Sequence, residues 1–286
     1  MRVGTELSVT VWERTYRQVL TPSFFQRARD AMQDPFDEIR VVVNNVNDEA
    51  DVIDRAEALL LEGVVTALSR VSEVLPRALR ATGLSARSLS PLPHYTDHFI
   101  VKGFVSDCDF ICHWDSDAQQ EAPADWVRSG VDLLLAEPRV FAVNPAWPHR
   151  PSIEALTLHS DATFDFGFGF SDQAFLVRRE ELTRRIYRCV APATWWQPTS
   201  HLTPIFEQRI DAYMRCSRRF RAVYRDVRQS HDGQMASQAK GSMPQRTRRR
   251  LQHETLMLLS AMRTYRPRWV FEPGGRAVPD DLLSLA

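Results

Sequence analysis

Three apolar runs in the first 70 residues predict strands. Leu7–Trp12 is short and rich in β-branched residues, and Ile39–Val43 is almost continuously apolar. A continuous apolar run of this length is typical of a strand that is buried on both faces of a parallel sheet. Val64–Leu68 is a third candidate strand.

Helical signals separate these runs. Thr21 followed by Pro22 is a typical helix start, and the helix is predicted to continue to about Met32. A second helix is predicted over Asp48–Leu61. The resulting β-α-β-α-β order predicts an α/β fold with a parallel sheet.

The middle of the chain gives further predicted elements. Residues 83–98 hold prolines and serines and predict a loop. Ser171 and Asp172 resemble helix caps and predict a helix that continues to about residue 182. The remaining predictions are strands at Phe99–Phe104, Phe110–Trp114 and Val140–Val143 and a helix at Trp126–Leu135.

The C-terminal part has a different composition. Residues 205–228 are rich in arginine and predict a mixture of helix and strand, residues 229–247 are polar and predict a flexible segment, and Leu251–Met262 predicts a helix. We therefore expect one α/β domain over residues 1–230, followed by a flexible segment and a helical extension over 231–286.

Composition excludes several classes of protein. The 286 residues are 44% hydrophobic and 25% charged, which is ordinary for a folded chain and unlike a collagen, a coiled coil or a disordered protein. No apolar run is long enough to cross a membrane, and the N-terminus lacks the pattern of a signal peptide. With only four cysteines, we expect a cytoplasmic protein with free thiols.

Charge is distributed unevenly although the net charge is zero. Residues 1–208 carry 20 basic and 29 acidic side chains, whereas residues 209–286 carry 16 and 7. The arginines at 209–228 and 246–250 have three interpretations: a solvated helical face, a clamp for a diphosphate or an anionic acceptor, or a weak contact with a membrane surface or nucleic acid. The zero net charge argues against nucleic acid as a partner.

Two aspartates follow a predicted strand in the segment His113-Trp114-Asp115-Ser116-Asp117. Open α/β sheets bind ligands at the carboxyl ends of their strands. Two carboxylates separated by one small residue can face a hard divalent cation, and such a cation can bridge diphosphate oxygens. The alternative is a solvated turn, because Asp-x-Asp triplets also occur by chance.

The ordered set of these motifs resembles the glycosyltransferases of the GT-A fold, especially the family-2-like enzymes. The resemblance covers residues 5–185 and rests on LSVTVWER at 7–14, VVVNNVND at 41–48, FICHWDSD at 110–117 and GFGFSDQAFLV at 167–177. It implies a mixed, mostly parallel sheet flanked by helices, with a nucleotide-sugar half over about 1–117 and an acceptor half over about 118–230.

The resemblance also implies roles for particular residues. The acidic residue of the Ser171-Asp172-Gln173 triplet takes the position of the catalytic base, which makes Asp172 the base on the acceptor hydroxyl. The metal, Mn²⁺ or Mg²⁺, is expected to bind Asp115, Asp117 and His231. The residues expected to contact the nucleotide are Trp12, Glu13, Arg14, Asn44, Asn45, Asp48 and Asp115.

The predicted reaction is therefore transfer of a sugar from a nucleotide-sugar donor to a small-molecule, glycan or lipid-linked acceptor. Two alternatives stay open: a nucleotidyltransferase of similar fold, and a non-catalytic module that binds nucleotide or carbohydrate. The segment after the first strand has neither the glycine nor the lysine of a typical phosphate-binding loop, which places the nucleotidyltransferase second.

Overall fold

A computed structural model describes residues 3–147, 156–194 and 204–231, together with two short strands near the C-terminus. The main strands are β1 (Thr5–Val11), β2 (Glu38–Val43), β3 (Ala67–Arg70), β4 (Phe110–Trp114), β5 (Ala118–Gln120), β6 (Val140–Ala146), β7 (Thr157–Ser160), β8 (Phe164–Gly167), β9 (Ala174–Arg178) and β10 (Phe220–His231). The helices are α1 (Tyr16–Val19), α2 (Pro22–Met32), α3 (Glu49–Leu61), α4 (Val71–Thr82), α5 (Ala86–Leu89), α6 (Asp97–Val105), α7 (Trp126–Ala136), α8 (Arg179–Thr183) and α9 (Phe206–Ser217).

The main strands form one mixed sheet. Its order is β3-β2-β1-β4-β9-β6-β10-β8-β7, and β5 pairs with the end of β10. The strands β1, β2, β3 and β4 are parallel, and β9 is antiparallel to both β4 and β6. The predicted fold class, a mixed and mostly parallel sheet flanked by helices, is confirmed.

Local sequence explains the first elements. The Thr21 side chain accepts a hydrogen bond from the Phe24 backbone N–H, so it caps α2 as predicted. The Asp48 side chain accepts from the Asp51 N–H and caps α3 in the same way. The strands β1, β2 and β3 begin or end within three residues of their predicted bounds.

Two predicted elements are wrong. The apolar run predicted as a strand at Phe99–Phe104 lies in helix α6, which packs against α4 and α8. The helix predicted from Ser171 is instead the strand β9 followed by the short helix α8. The four residues 174–177 are all buried because β9 lies between β4 and β6, and such a run fits a central strand as well as a helix.

The core has two parts, one on each face of the sheet. One part joins β-strand side chains such as Val41 and Cys112 with α2, α3 and α7, and the other joins Val42 and Ile111 with α4, α6 and α9. Adjacent strand residues thus point to opposite layers. The carboxyl ends of β1, β2 and β4 emerge between these helical layers.

The arginine-rich segment at 205–228 is a helix followed by a strand, as predicted. The polar segment lies outside the described residues beyond position 231, as does the helix predicted at Leu251–Met262. Near the C-terminus, β11 (Trp269–Phe271) and β12 (Ala277–Pro279) pair antiparallel. None of the helices in the described part of the chain combines the length and apolarity that crossing a bilayer requires.

Candidate functional site

The predicted Asp-x-Asp triplet lies at the carboxyl end of β4. The Asp115 backbone N–H donates to the Gln173 carbonyl at 2.7 Å, and the Ala118 N–H donates to the Asp115 carbonyl at 3.1 Å. One carboxylate oxygen of Asp115 accepts from the Ser116 N–H at 2.7 Å. These bonds hold the turn against the segment that precedes β9.

The Asp115 carboxyl group has a pKa of about 6, which is well above its ordinary value. Burial is the main cause, and the nearby negative charge of Asp117 adds to it. Hydrogen bonds from Ser116 and the positive charge of Lys102 act in the opposite direction. A buried carboxyl group beside a second negative charge is stabilised by binding a proton or a cation.

Asp172 lies in the same region, in the bend before β9 and not at a helix N-terminus. The helix predicted to begin at Ser171 is therefore absent at this position. Burial raises its pKa well above the ordinary value, and the charges of Glu207, Asp115 and Asp117 raise it further. The structure thus brings the predicted base close to two of the three predicted metal ligands, Asp115 and Asp117.

Lys102, Ser8 and His113 form a buried polar group near the triplet, and the sequence analysis did not predict it. The Lys102 ammonium on α6 is fully buried and donates to the Ser8 carbonyl at 3.2 Å and the Ser8 hydroxyl at 3.0 Å. His113 Nδ1 lies 3.2 Å from the same carbonyl, and its ring packs edge-on against Phe99. The sequence contains one sign of this group, which is a lysine within the apolar run at 99–104. That run was interpreted as a strand.

Lys102 is the buried positive charge in this region that acts on Asp115. Burial lowers its pKa to about 7, while the negative charges of Glu6 and Asp115 act to raise it. The ammonium group therefore compensates part of the negative charge that collects at the end of β4.

The three residues after β1 form a turn. The Glu13 carboxylate accepts from the Asn47 N–H at 2.7 Å, which joins this turn to the end of β2. The Arg14 guanidinium lies 5.7 Å from the centre of the Trp12 ring. The turn is partly exposed and is accessible from the side on which β1 ends.

The residues after β2 have diverse environments. The Asn44 amide is buried and donates to the Asp97 carboxylate at 3.0 Å, which connects β2 with α6. Asn45 is exposed with a φ of 48°, and Asp48 is the exposed cap of α3. Asp97 is thus a buried acid beside the predicted nucleotide contacts, and its position in the sequence gave no signal.

A cavity of about 820 Å³ opens beside the triplet. Asp117 and Ser116 form one wall and residues of α1 and α2 the other, with two guanidinium groups, Arg14 and Arg27, in the lining. Of the seven predicted nucleotide contacts, all of which lie in the described residues, Arg14 alone is in this lining. The six that are not are Trp12, Glu13, Asn44, Asn45, Asp48 and Asp115. The volume lies within the range of small-molecule and cofactor sites.

His231 is placed close to the triplet by strand register. It is the last residue of β10 and pairs with Ala118, the residue that follows Asp117. Its side chain lies outside the described residues. Among the described side chains, no cluster of three His, Cys, Asp or Glu groups is arranged to hold a metal ion.

The aromatic-glycine segment at 164–170 serves packing. Its four phenylalanines are buried, and a Cβ on Gly167 would lie 2.1 Å from the Leu156 carbonyl oxygen. All four cysteines are free, as expected.

Comparison with known proteins gives similarities at the level of structure. The solved structures include a mycobacterial protein with 14% identity and a TM-score of 0.44, over 95% of this chain and 80% of that one. Glucosyl-3-phosphoglycerate synthase from Mycobacterium tuberculosis, in complex with Mn²⁺, UDP-glucose and phosphoglyceric acid, has 12% identity and a TM-score of 0.42, over 97% and 87%. A galactosyltransferase in complex with donor and acceptor sugar analogues has 13% identity and a TM-score of 0.39, over 72% and 68%.

No family model matches the chain, and no curated protein matches it. At this identity and TM-score, the chemistry has to be inferred from the side chains of this chain.

Proposed function

We propose that this protein is a metal-dependent glycosyltransferase of the GT-A type. It would move a sugar from a nucleoside-diphosphate sugar to an acceptor hydroxyl. The observation that carries the proposal is the convergence of Asp115, Asp117 and Asp172 where β4 ends and β9 begins, beside a cavity of about 820 Å³. The charge of Asp117 raises the pKa of Asp115, and the charges of both raise the pKa of Asp172, which is typical of a site that handles a cation and a proton.

The carboxylates of Asp115 and Asp117 are hard oxygen donors and suit Mn²⁺ or Mg²⁺. The raised pKa of Asp115 supports this assignment, because a cation would offset both the burial of the Asp115 charge and its repulsion by Asp117. His231 is proposed as the third ligand on the strength of its register opposite Ala118. A divalent cation held by these residues would supply positive charge against the negative charge of a departing diphosphate.

The chain's own groups perform the remaining work. Asp172 is proposed to accept the proton of the acceptor hydroxyl, and its raised pKa makes its anion a stronger base than an exposed aspartate. Arg14 and Arg27 in the cavity lining are proposed to attract the anionic donor. The hydrogen bond between the Asp115 N–H and the Gln173 carbonyl keeps the metal side and the base side in fixed relation.

The test is a donor screen. The full chain is incubated with sugar conjugates of UDP, GDP, ADP and CDP in Mn²⁺ or Mg²⁺, with a mixture of acceptor alcohols, and release of the nucleotide is measured. We expect release from one base class that is abolished by EDTA. Absence of release from every donor, with either metal, would contradict the proposal.

The same screen separates the alternatives. A nucleotidyltransferase would instead release pyrophosphate from a nucleoside triphosphate in the presence of a sugar phosphate. A binding module would retain its affinity for a nucleotide sugar and release no product.

A further inference from the structure

Two cysteines that the proposed reaction does not use lie beside each other at the surface. Cys189 follows helix α8 in an irregular segment, and Cys216 lies in the last turn of α9. Both are free, Cys216 is exposed and Cys189 is partly buried.

The segment that carries Cys189 is attached to α9 at two points. The Tyr187 carbonyl accepts from the Arg209 guanidinium at 2.8 Å, and the Val190 carbonyl accepts from the Cys216 thiol at 3.7 Å. Three extended residues span about 10 Å, and seven helical residues also span about 10 Å. The segment 187–190 therefore runs alongside α9 from Arg209 to Cys216, which places Cys189 next to the last turn of the helix.

The two thiols lie on segments that contact each other. The Cys216 thiol donates to the carbonyl of Val190, which is the residue directly after Cys189. Burial raises the pKa of the Cys189 thiol, and the neighbouring Cys216 raises it further. Cysteines on two segments in such close contact are placed for a disulfide after a small rotation of their side chains.

We propose that Cys189 and Cys216 are a redox pair that forms a reversible disulfide when the protein meets a peroxide. The exposed Cys216 thiolate attacks one peroxide oxygen, the O–O bond breaks, and the sulfur becomes a sulfenic acid as hydroxide leaves. The Cys189 thiolate then attacks that sulfur, the S–O bond breaks, and water leaves. The two thiols lose two electrons and two protons in total, and hydrogen peroxide is reduced to two waters.

The other two cysteines provide an internal comparison. Cys112 is fully buried, and burial raises the pKa of the Cys108 thiol to about 12. Since the thiolate is the reactive form, both should stay reduced at a peroxide concentration that oxidises the pair.

The experiment is oxidation of the full chain followed by peptide mapping. The protein is treated with hydrogen peroxide, the remaining thiols are alkylated, and the chain is cut with trypsin without reduction. Cleavage after Arg188, Arg209, Arg215 and Arg218 gives the peptides 189–209 and 216–218. We expect a linked species of these two peptides, lighter by two hydrogen atoms than their sum, which a dithiol converts back to the separate peptides.

Two serine variants make the result specific. Cys189→Ser should abolish the linked peptide and leave Cys216 as a sulfenic acid that a carbon nucleophile such as dimedone traps. Cys108→Ser should leave the link unchanged. The thermal midpoint of each reduced variant, compared with that of the wild type, shows that its fold is retained.

Some results would overturn the proposal. One is a wild-type chain in which peroxide oxidises Cys216, or leaves it open to alkylation, and no linked peptide forms. Another is a link that forms only between two chains and appears as a dimer on a non-reducing gel. Neither result bears on the proposed transferase activity, because the pair is not part of that site.

Discussion

At the scale of single residues, the main feature is a group of acidic side chains that lie close together where β4 ends and β9 begins. Burial raises the pKa of Asp172, and the negative charges of Glu207, Asp115 and Asp117 raise it further. Replacement by asparagine keeps the shape of the side chain and removes its ability to accept a proton. We expect Asp172→Asn to lower the rate of sugar transfer by about 10²–10⁴-fold while the affinity for the donor is retained.

The matched control is Asp107→Asn. Asp107 is exposed in the loop before β4, at the other end of that strand. Transfer rates are measured with the donor that the screen identifies, and donor affinity by calorimetry. Equal rates for Asp172→Asn and the wild type would remove Asp172 as the base.

Glu6 gives a prediction for the pH dependence of stability. It is fully buried on β1, where burial and a hydrogen bond with Glu38 raise its pKa to about 7, against the influence of Arg40 at 3.1 Å. The ordinary value is 4.5. Between these two values the folded chain holds a proton that the unfolded chain has released, so Glu6 costs stability as the pH rises through this window.

We expect Glu6→Gln to remove this cost, because an amide does not ionise. The free energy of unfolding in urea, measured between about pH 5 and pH 7, should fall less with rising pH in the variant than in the wild type. An unchanged slope in the variant would show that the pH dependence arises from other groups.

At the element scale, the close approach of β8 to the residue before β7 depends on a glycine. A Cβ on Gly167 would lie 2.1 Å from the Leu156 carbonyl oxygen, which belongs to the backbone and has little freedom to move. We expect Gly167→Ala to destabilise the fold by about 1–3 kcal/mol or more in urea unfolding.

Gly63→Ala is the control for this prediction, because it shows how much stability is lost when a glycine is replaced without a clash. Gly63 has a φ of 71° and no atom within 4 Å of the added Cβ, so its replacement costs only backbone strain. A loss of about 1 kcal/mol is expected there. If both variants lose the same stability, the contact with Leu156 does not limit the packing of β8.

Helices and strands differed in how well the sequence predicted them. The helix α2 begins and ends as predicted because Thr21 and Pro22 act locally, within one turn. The strand β9 was missed because Ser171 and Asp172 have the composition of a helix cap, whereas the strand forms through pairing with β4 and β6. That pairing joins distant parts of the chain, and no local pattern reports it.

At the scale of the whole molecule, the topology explains which parts of the site could be predicted. The acidic residues were predicted, and the buried groups that surround them were not. Asp115 and Asp117 follow a buried strand, so their place at a sheet edge follows from the sequence. The proximity of Asp172 follows from the antiparallel return of β9 beside β4. The support from Lys102 and Asp97 depends on how α6 packs across the strands, which the apolar pattern of 99–104 did not reveal.

The nucleotide contacts remain predictions. Arg14 lines the cavity and Glu13 joins the turn after β1 to the turn after β2. Asn44 donates one side-chain N–H to Asp97, which leaves its amide oxygen and its second N–H as the groups for a ligand contact.

The central claim is that the acids at the end of β4 hold a divalent cation together with a nucleoside diphosphate. The most direct measurement is a calorimetric titration of the wild type, Asp117→Asn and Asp107→Asn with UDP, GDP, ADP and CDP, with and without Mn²⁺. We predict that one nucleotide binds the wild type and Asp107→Asn in a Mn²⁺-dependent way, and that Asp117→Asn weakens this binding by about ten-fold or more. Binding that is independent of Mn²⁺, or equal in all three proteins, would contradict the account.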